Sequence, residues 1–280
     1  MVSNSSIRRS YFSGPFSFYT GDPKRLSSEI NRYLSNAKKS EFPRIPVGLI
    51  SPHAGYTYSG QTAGWAYKQI EKINYERIIV FAPSHRGMFP GVSLFPGTAY
   101  ETPLGQVPLD KDFCESLRGE KNFVKYDSFA EENEHSLEVQ IPFLQVVQKN
   151  FKLVPLLISN QSYTNCEKLC EIIISSLEQF PEKTLLVASS DLYHGPGSDV
   201  CDEVDERLIS SLLRFNPKEF SKKVEDEEIM ACGYGPITTV LLISKKLGAK
   251  EISILNHTNS VESANGSEDY VVGYLAACVF

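Results

Sequence analysis

Residues 47–58 read VGLISPHAGYTY, and this stretch decides the predicted fold. An apolar run ends at Pro52 and passes at once to His53, a glycine and two tyrosines. A short apolar run bounded by a chain breaker is typical of a buried β-strand, because proline cannot donate to the next position of a ladder. The stretch therefore predicts a strand whose end delivers His53 into a site.

The same arrangement recurs twice along the chain. Residues 77–87, RIIVFAPSHRG, break at a proline and present His85, and residues 184–197, TLLVASSDLYHGPG, run into Asp191 and His194. Helix-type segments separate these runs, and continuous apolar strands alternating with helices are typical of an α/β protein with a parallel sheet covered on both faces. Functional groups gather beyond the carboxyl ends of such strands. We therefore expect these strand ends to converge with the histidine of the first stretch.

Two segments outside those strands also carry reactive side chains. Residues 131–147, EENEHSLEVQIPFLQVV, place Glu134 and His135 at the start of a helix. A solvated acidic helix start is the alternative, since the helix dipole alone favours it. Cys232 precedes a helix predicted to start near Pro236, a position that stabilises a thiolate, and burial as a structural cysteine is the alternative there.

Asp191 and His194 suit either proton transfer or the orientation of a metal ligand.

The remaining histidine and two of the cysteines are predicted to be structural. His257 lies within a late apolar strand, one of two strands predicted at the end of the chain. Cys166 and Cys170 stand four apart among apolar residues, which favours buried thiols over a metal pair.

Composition restricts the class of protein. The 280 residues are 41% hydrophobic and 22% charged, which fits one large or two small globular domains, and the lack of a low-complexity linker favours one continuous domain over residues 1–280. A net charge of −6 gives no basic field for phosphate backbones, so we expect no nucleic-acid partner. No apolar run approaches the roughly 20 residues that cross a bilayer, and the first residues lack the apolar core of a signal peptide. Six scattered cysteines indicate reduced thiols, and we predict a cytoplasmic protein, also nuclear by diffusion, without membrane insertion.

Five short motifs, in this order over nearly the whole chain, resemble those of the Memo family, named for a mediator of ErbB2-driven cell motility and shared with microbial proteins. The motifs are PHAGYTYSG, PSHRG, EHSLEVQIPFL, SSDLYHG and ACGYGP. The family is similar in fold to the class III extradiol dioxygenases of the LigB type. The resemblance implies a single Memo-like domain with three α/β/α layers around a mixed, mainly parallel central sheet.

The resemblance also implies a mononuclear metal site. His53, His85 and Cys232 match the family's metal-binding positions, and Asp191 and His194 match residues that line its pocket. The related dioxygenases hold Fe(II) with two histidines and a carboxylate, whereas a thiolate here makes the donor set softer. The resemblance implies Fe(II) first and copper second, and the donor set also accepts zinc.

Two functions remain open at this point. In the first, the protein is a redox-active metalloprotein that takes a small molecule or O₂ into the pocket, and a non-haem iron oxidoreductase is one form of this hypothesis. His194 or His135 then transfers protons, and Asp191 or Glu134 orients them.

In the second, the protein is a non-catalytic signalling protein that binds phosphotyrosine peptides in the same pocket, as the resemblance implies. Tyr58, Phe18 and Tyr56 are predicted to form the pocket wall, with Phe18 standing where the family carries a tryptophan. The phenyl ring keeps an apolar face but lacks the indole N–H donor.

Overall fold

Strands and helices alternate along the part of the chain that the computed structural model describes, residues 7–10, 12–13, 18–119, 123–227 and 229–280. The strands are β1 (Ile7–Arg8), β2 (Gly48–Ser51), β3 (Arg77–Pro83), β4 (Val92–Leu94), β5 (Ala99–Thr102), β6 (Gly105–Pro108), β7 (Val124–Tyr126), β8 (Lys152–Ile158), β9 (Thr184–Ser189), β10 (His194–Gly195), β11 (Ile252–Asn259) and β12 (Val271–Val279). The α-helices are α1 (Pro23–Asn36), α2 (Tyr56–Lys68), α3 (Lys111–Ser116), α4 (Ser128–Glu131), α5 (Ile141–Val147), α6 (Tyr163–Gln179), α7 (Ser198–Leu213), α8 (Pro217–Asp226), α9 (Tyr234–Lys246) and α10 (Ser260–Ala264).

The larger of two sheets is mixed and has a parallel centre. Its strand order is β10-β12-β2-β9-β3-β8-β4-β7, with β11 paired to β12, and a smaller sheet has the order β1-β5-β6. Strands β2, β9, β3 and β8 run parallel, whereas β12 is antiparallel to β2 and β4 is antiparallel to β8. The predicted mixed, mainly parallel sheet is confirmed.

Helices cover both faces of this sheet. Ile79 and Phe81 of β3 pack in one apolar cluster with side chains of α6, α8 and α9, while Ile78 and Val80 pack in a second cluster with side chains of α1, α2 and α5. All four strand residues are fully buried. Each such side chain stabilises the fold by roughly 1.5–3 kcal/mol relative to exposure. Two buried faces explain the continuous apolar strands, and the three-layer α/β/α arrangement is confirmed.

Local sequence signals account for several boundaries. The carboxylate of Asp22 accepts a hydrogen bond from Arg25 N at 2.7 Å and caps α1, whose first residue is Pro23. Pro142 lies in the first turn of α5, and a 3-10 turn over Glu138–Gln140 directly precedes that helix. After β4, a segment rich in proline and glycine forms an antiparallel hairpin of β5 with β6.

No helix in the described ranges combines the length and the apolar character that crossing a bilayer requires.

Candidate metal centre

Three neighbouring strands deliver side chains to one edge of the larger sheet. Strands β2, β9 and β3 lie side by side and run parallel, so their carboxyl ends share that edge. His53, Asp191 and His85 each stand two residues beyond the end of one of these strands. The predicted convergence of the three strand ends is present in the fold.

Three histidines form a group that could hold a metal ion. The candidate ligand atoms of His53, His85 and His135 all lie within 4.8 Å of one another. The ring centroids of His85 and His135 are 4.7 Å apart, and that of His53 is 5.2 Å and 5.5 Å from them. His53 is buried, whereas His85 is exposed, so the group opens to solvent on one side. His135, predicted as a proton-transfer residue, therefore lies among the candidate ligands.

Glu134 holds the loop that carries His85. Its Oε2 accepts from His85 N at 2.5 Å, and its Oε1 accepts from Ser136 N at 2.9 Å and lies 3.0 Å from His85 Nδ1. A carboxylate only accepts, so Nδ1 carries the hydrogen, and in the neutral ring Nε2 of His85 is bare. Burial acts to raise the pKa of Glu134, but these hydrogen bonds and the charge of His85 outweigh it and lower the pKa to about 2. Glu134 is therefore an orienting carboxylate.

Two of the three imidazoles are strongly biased to the neutral state. Burial, and then the charges of the other histidines, lower the pKa of His53 well below its usual range. Burial lowers the pKa of His135 to about 4, with Glu134 opposing and His85 assisting. A metal ligand must be an uncharged imidazole, so both side chains meet that requirement at neutral pH.

Cys232 lies beside His53, in the loop before α9. Its Sγ is 3.0 Å from His53 Nε2 and accepts from Asp191 N at 3.2 Å. A side chain at Gly233 would overlap Ser189 O, so only glycine lets this loop approach so closely. Burial, and then the charge of Asp191, raise the pKa of the Cys232 thiol well above its usual range. Its place before a helix favours the thiolate, but these two effects prevail in the metal-free protein.

Asp191 braces the loop after β2. Its Oδ1 accepts from His53 N at 2.7 Å, and the residue is 4% exposed. Burial raises the pKa of Asp191 to about 6, opposed by the hydrogen bond from His53 N. The carboxylate thus fixes the backbone of a candidate ligand, the orienting role that the sequence left open beside proton transfer.

His194 lies outside the three-histidine group. Its Nδ1 is 2.9 Å from Leu192 O and 3.2 Å from Met230 O. Carbonyl oxygens only accept, so Nδ1 carries the hydrogen and Nε2 is bare. When His194 is protonated, its charge contributes to the lowered pKa of His53.

The three predicted wall residues line an open groove of about 960 Å³ next to the centre. Phe18 stacks on His135 with ring centroids 4.4 Å apart and so connects the groove to the histidines. Tyr58 is 44% exposed on α2. Tyr56 is buried, and its hydroxyl donates to Val139 O at 2.7 Å, so it contributes mainly to the core.

His257 has the structural role that the sequence predicted. Its Nε2 lies 2.9 Å from Oδ2 of Asp205, which is fully buried, and Asp205 Oδ1 accepts from Tyr193 N at 3.1 Å. The pair thereby supports the segment between Asp191 and His194. Burial acts to lower the pKa of His257, but the hydrogen bond and charge of Asp205 raise it.

The sequence interpretation gave no role to two buried polar side chains beside His53. Ser189 Oγ lies 2.9 Å from His53 Nδ1, and Gln140 Nε2 donates to Ser189 Oγ at 2.8 Å. A signal was available for Gln140, a polar residue inside the apolar run VQIPFL.

Known proteins similar to the chain share one description. The family model for "Memo-like protein" matches residues 8–278. A MEMO1 family protein of Thermoplasma volcanium is 36% identical over 264 residues, which cover 93% of this chain and 95% of that protein. MEMO1 family proteins of Sulfolobus acidocaldarius and Methanocaldococcus jannaschii are 35% and 33% identical over 272 and 276 residues, covering 93% and 94% of this chain and 95% and 96% of theirs.

Proposed function

The chain belongs to the family of Memo-like proteins, and on that premise we propose that its three-histidine group is a metal centre that acts in redox or metal chemistry. One observation supports this above all. His53, His85 and His135 come from separate loops yet place their ligand atoms within 4.8 Å of one another.

Fe(II) is the metal that we propose, with copper or zinc as alternatives. Imidazole accepts all three metals, so the donor type alone does not choose among them, and the family resemblance favours iron. Neither neighbouring carboxylate adds an obvious donor, because Glu134 is engaged by His85 and Ser136 and Asp191 by His53 N. The proposed set therefore departs from two histidines and a carboxylate.

Two donor sets share His53 and His85. The third position belongs either to His135, which completes the geometric group, or to Cys232, which the family resemblance implies and whose Sγ lies 3.0 Å from His53 Nε2. Single substitutions separate the two sets. His135→Ala abolishes binding if the imidazole is the ligand, and Cys232→Ala does so if the thiolate is.

Metal content tests the proposal directly. Protein purified without oxygen is titrated with Fe(II), and bound metal is measured by mass spectrometry. We expect about one ion per chain for the natural protein and loss of that ion in His53→Ala, since removing a ligand from a small site removes most of its affinity. His257→Gln is the matched control, because it removes an imidazole outside the group. Equal metal content in His53→Ala and His257→Gln would refute the proposal.

In the oxidoreductase form of the proposal, His194 moves the proton. Its Nδ1–H is held by Leu192 O and Met230 O, so the bare Nε2 is free to accept. Bound Fe(II) would supply open coordination positions and redox capacity for O₂ and a small molecule. Asp191 and Glu134 orient the loops of His53 and His85. O₂ consumption by the iron-loaded protein, measured with candidate reductants and lowered in His194→Asn at unchanged iron content, is the expected result.

The groove supports a second candidate, a non-catalytic signalling protein that binds phosphotyrosine peptides. Arg25 and Arg32 lie in its lining together with the exposed ring of Tyr58. Guanidinium groups bind phosphate in a bidentate manner, and the tyrosine offers an aromatic face. Calorimetry is expected to show saturable binding of a phosphotyrosine peptide that Arg32→Gln weakens. Equal binding of the unphosphorylated peptide would contradict this candidate.

A further inference from the structure

A chain of buried hydrogen bonds reaches the side of His53 that faces away from Cys232. Ser189 is 0% exposed and Gln140 is 1% exposed. We propose that Ser189 and Gln140 are positioning residues that fix His53 in the tautomer with hydrogen on Nδ1, so that its bare Nε2 faces the metal centre. The consequence for metal binding rests on the proposed function, whereas the tautomer can be measured without any metal.

The orientation of the Gln140 amide is set by its neighbours. Its Nε2 lies 2.9 Å from Pro52 O, and a carbonyl oxygen only accepts, so this end is the NH₂ group. Its Oε1 accepts from the hydroxyl of Tyr67 at 2.6 Å. Gln140 therefore presents an N–H to Ser189 Oγ, 2.8 Å away, and occupies one acceptor position of that hydroxyl.

The single hydrogen of the Ser189 hydroxyl is also accounted for. Ser189 Oγ lies 2.6 Å from Ser136 O, and two oxygens so close require a hydrogen between them, which only the hydroxyl can supply. One lone pair of Oγ is then left, and it faces His53 Nδ1 at 2.9 Å. Nδ1 must donate, because a bare Nδ1 would leave two acceptors facing each other in a buried site.

The other ring nitrogen is consequently the one offered to a ligand. His53 Nε2 lies 3.0 Å from Cys232 Sγ, so in the metal-free protein the thiol hydrogen points at Nε2. Neutral His85 has the same tautomer, since its Nδ1 hydrogen is donated to Glu134. An acceptor on the far nitrogen is the usual device by which proteins orient a metal-binding imidazole. At His53 a serine hydroxyl takes that place, and it accepts only because Gln140 and Ser136 engage it from both sides.

The tautomer can be read by NMR in the metal-free protein. Long-range ¹H–¹⁵N spectra distinguish a protonated from a bare ring nitrogen, and the signals absent from His53→Gln assign the residue. We expect His53 in the natural protein to carry hydrogen on Nδ1. In Ser189→Ala the hydroxyl acceptor is lost, and the ratio of the two tautomers should move about tenfold towards Nε2–H, the effect of one net hydrogen bond.

Ser190→Ala is the matched control. Ser190 is equally buried, but its hydroxyl donates to Asp191 O at 2.8 Å and accepts from Gly233 N at 3.0 Å. We expect this variant to keep the natural tautomer. We also expect Fe(II) affinity to fall roughly 10–100-fold in Ser189→Ala, the usual effect of losing a partner of a ligand.

The possible failures are distinguishable. A natural protein whose His53 carries hydrogen on Nε2 refutes the inference without any variant, so it is tested even if Ser189→Ala does not fold. An unchanged tautomer in Ser189→Ala refutes it as well. If the tautomers behave as expected but the natural protein takes up no metal, the positioning inference is supported and the proposed metal function fails.

Discussion

Replacing Glu134 with glutamine tests how strongly the loop of His85 is held. The two carboxylate oxygens serve three N–H groups, His85 N at 2.5 Å, His85 Nδ1 at 3.0 Å and Ser136 N at 2.9 Å. A glutamine has one oxygen, so at least one of these donors would face an NH₂ group. A buried donor left without an acceptor costs about 1–3 kcal/mol.

The titration of Glu134 gives a second magnitude. Its pKa is about 2 in the folded protein and 4.5 ordinarily, and the side chain is 1% exposed. That difference corresponds to about 3 kcal/mol of stability, in agreement with the first figure. Because the folded-state pKa is lowered, this stability is fully present above pH 4.5 and is lost as the pH falls towards 2.

Urea unfolding of Glu134→Gln at several pH values is the assay. At pH 7 the free energy of unfolding should be about 3 kcal/mol below that of the natural protein, and by pH 3 the difference should have fallen by more than half. Glu132→Gln is the matched control, since it makes the same chemical change at an exposed residue. A Glu134→Gln difference that equals that of the control, or that does not change with pH, would refute the reasoning.

Three further outcomes follow from packing and charge. Gly273→Ala should destabilise the protein by about 1–3 kcal/mol in urea unfolding, because its methyl group would overlap the buried carboxylate of Asp205. His257→Gln should lower the free energy of unfolding mainly below pH 6.5. The pKa of His257 is raised in the folded protein, so its contribution to stability is fully present below pH 6.5 and disappears as the pH rises through the folded-state pKa. Urea unfolding from pH 6 to pH 9 would show this change. Arg77→Met should cost about 3–5 kcal/mol in the same assay, because the buried carboxylate of Asp110 loses Arg77 Nε at 2.7 Å and keeps the weaker contact with the exposed Lys152, whose Nζ lies 3.8 Å away. Asp110→Asn in the same chain should restore part of the loss.

The parallel centre of the fold could be predicted because each strand carries its own evidence. The runs ending at Pro52 and Pro83 are predominantly apolar, and both faces of their strands are buried. The pairing of β4 with β8 could not be predicted, since a three-residue strand has no pattern long enough to specify a partner.

The candidate site, like the fold, could be predicted from the sequence only in part. His53 and His85 follow strand ends, whereas His135 reaches them only because its loop folds back over the end of β3, through the bonds of Glu134 and of Ser136 Oγ to Pro83 O at 2.7 Å. Position before a helix suggested a thiolate at Cys232, but the effect of burial depends on the surroundings in three dimensions. Sequence spacing indicates which side chains are candidate metal ligands, and only interatomic distances show which ring nitrogen carries the hydrogen.

The distribution of the donors along the chain has a consequence for biosynthesis. His53 and Cys232 are 179 positions apart, although their side chains touch. A short peptide cannot bring these two side chains together, and a growing chain cannot do so until the loop before α9 has been made. In the proposed donor set that contains Cys232, metal binding would therefore follow assembly of the sheet.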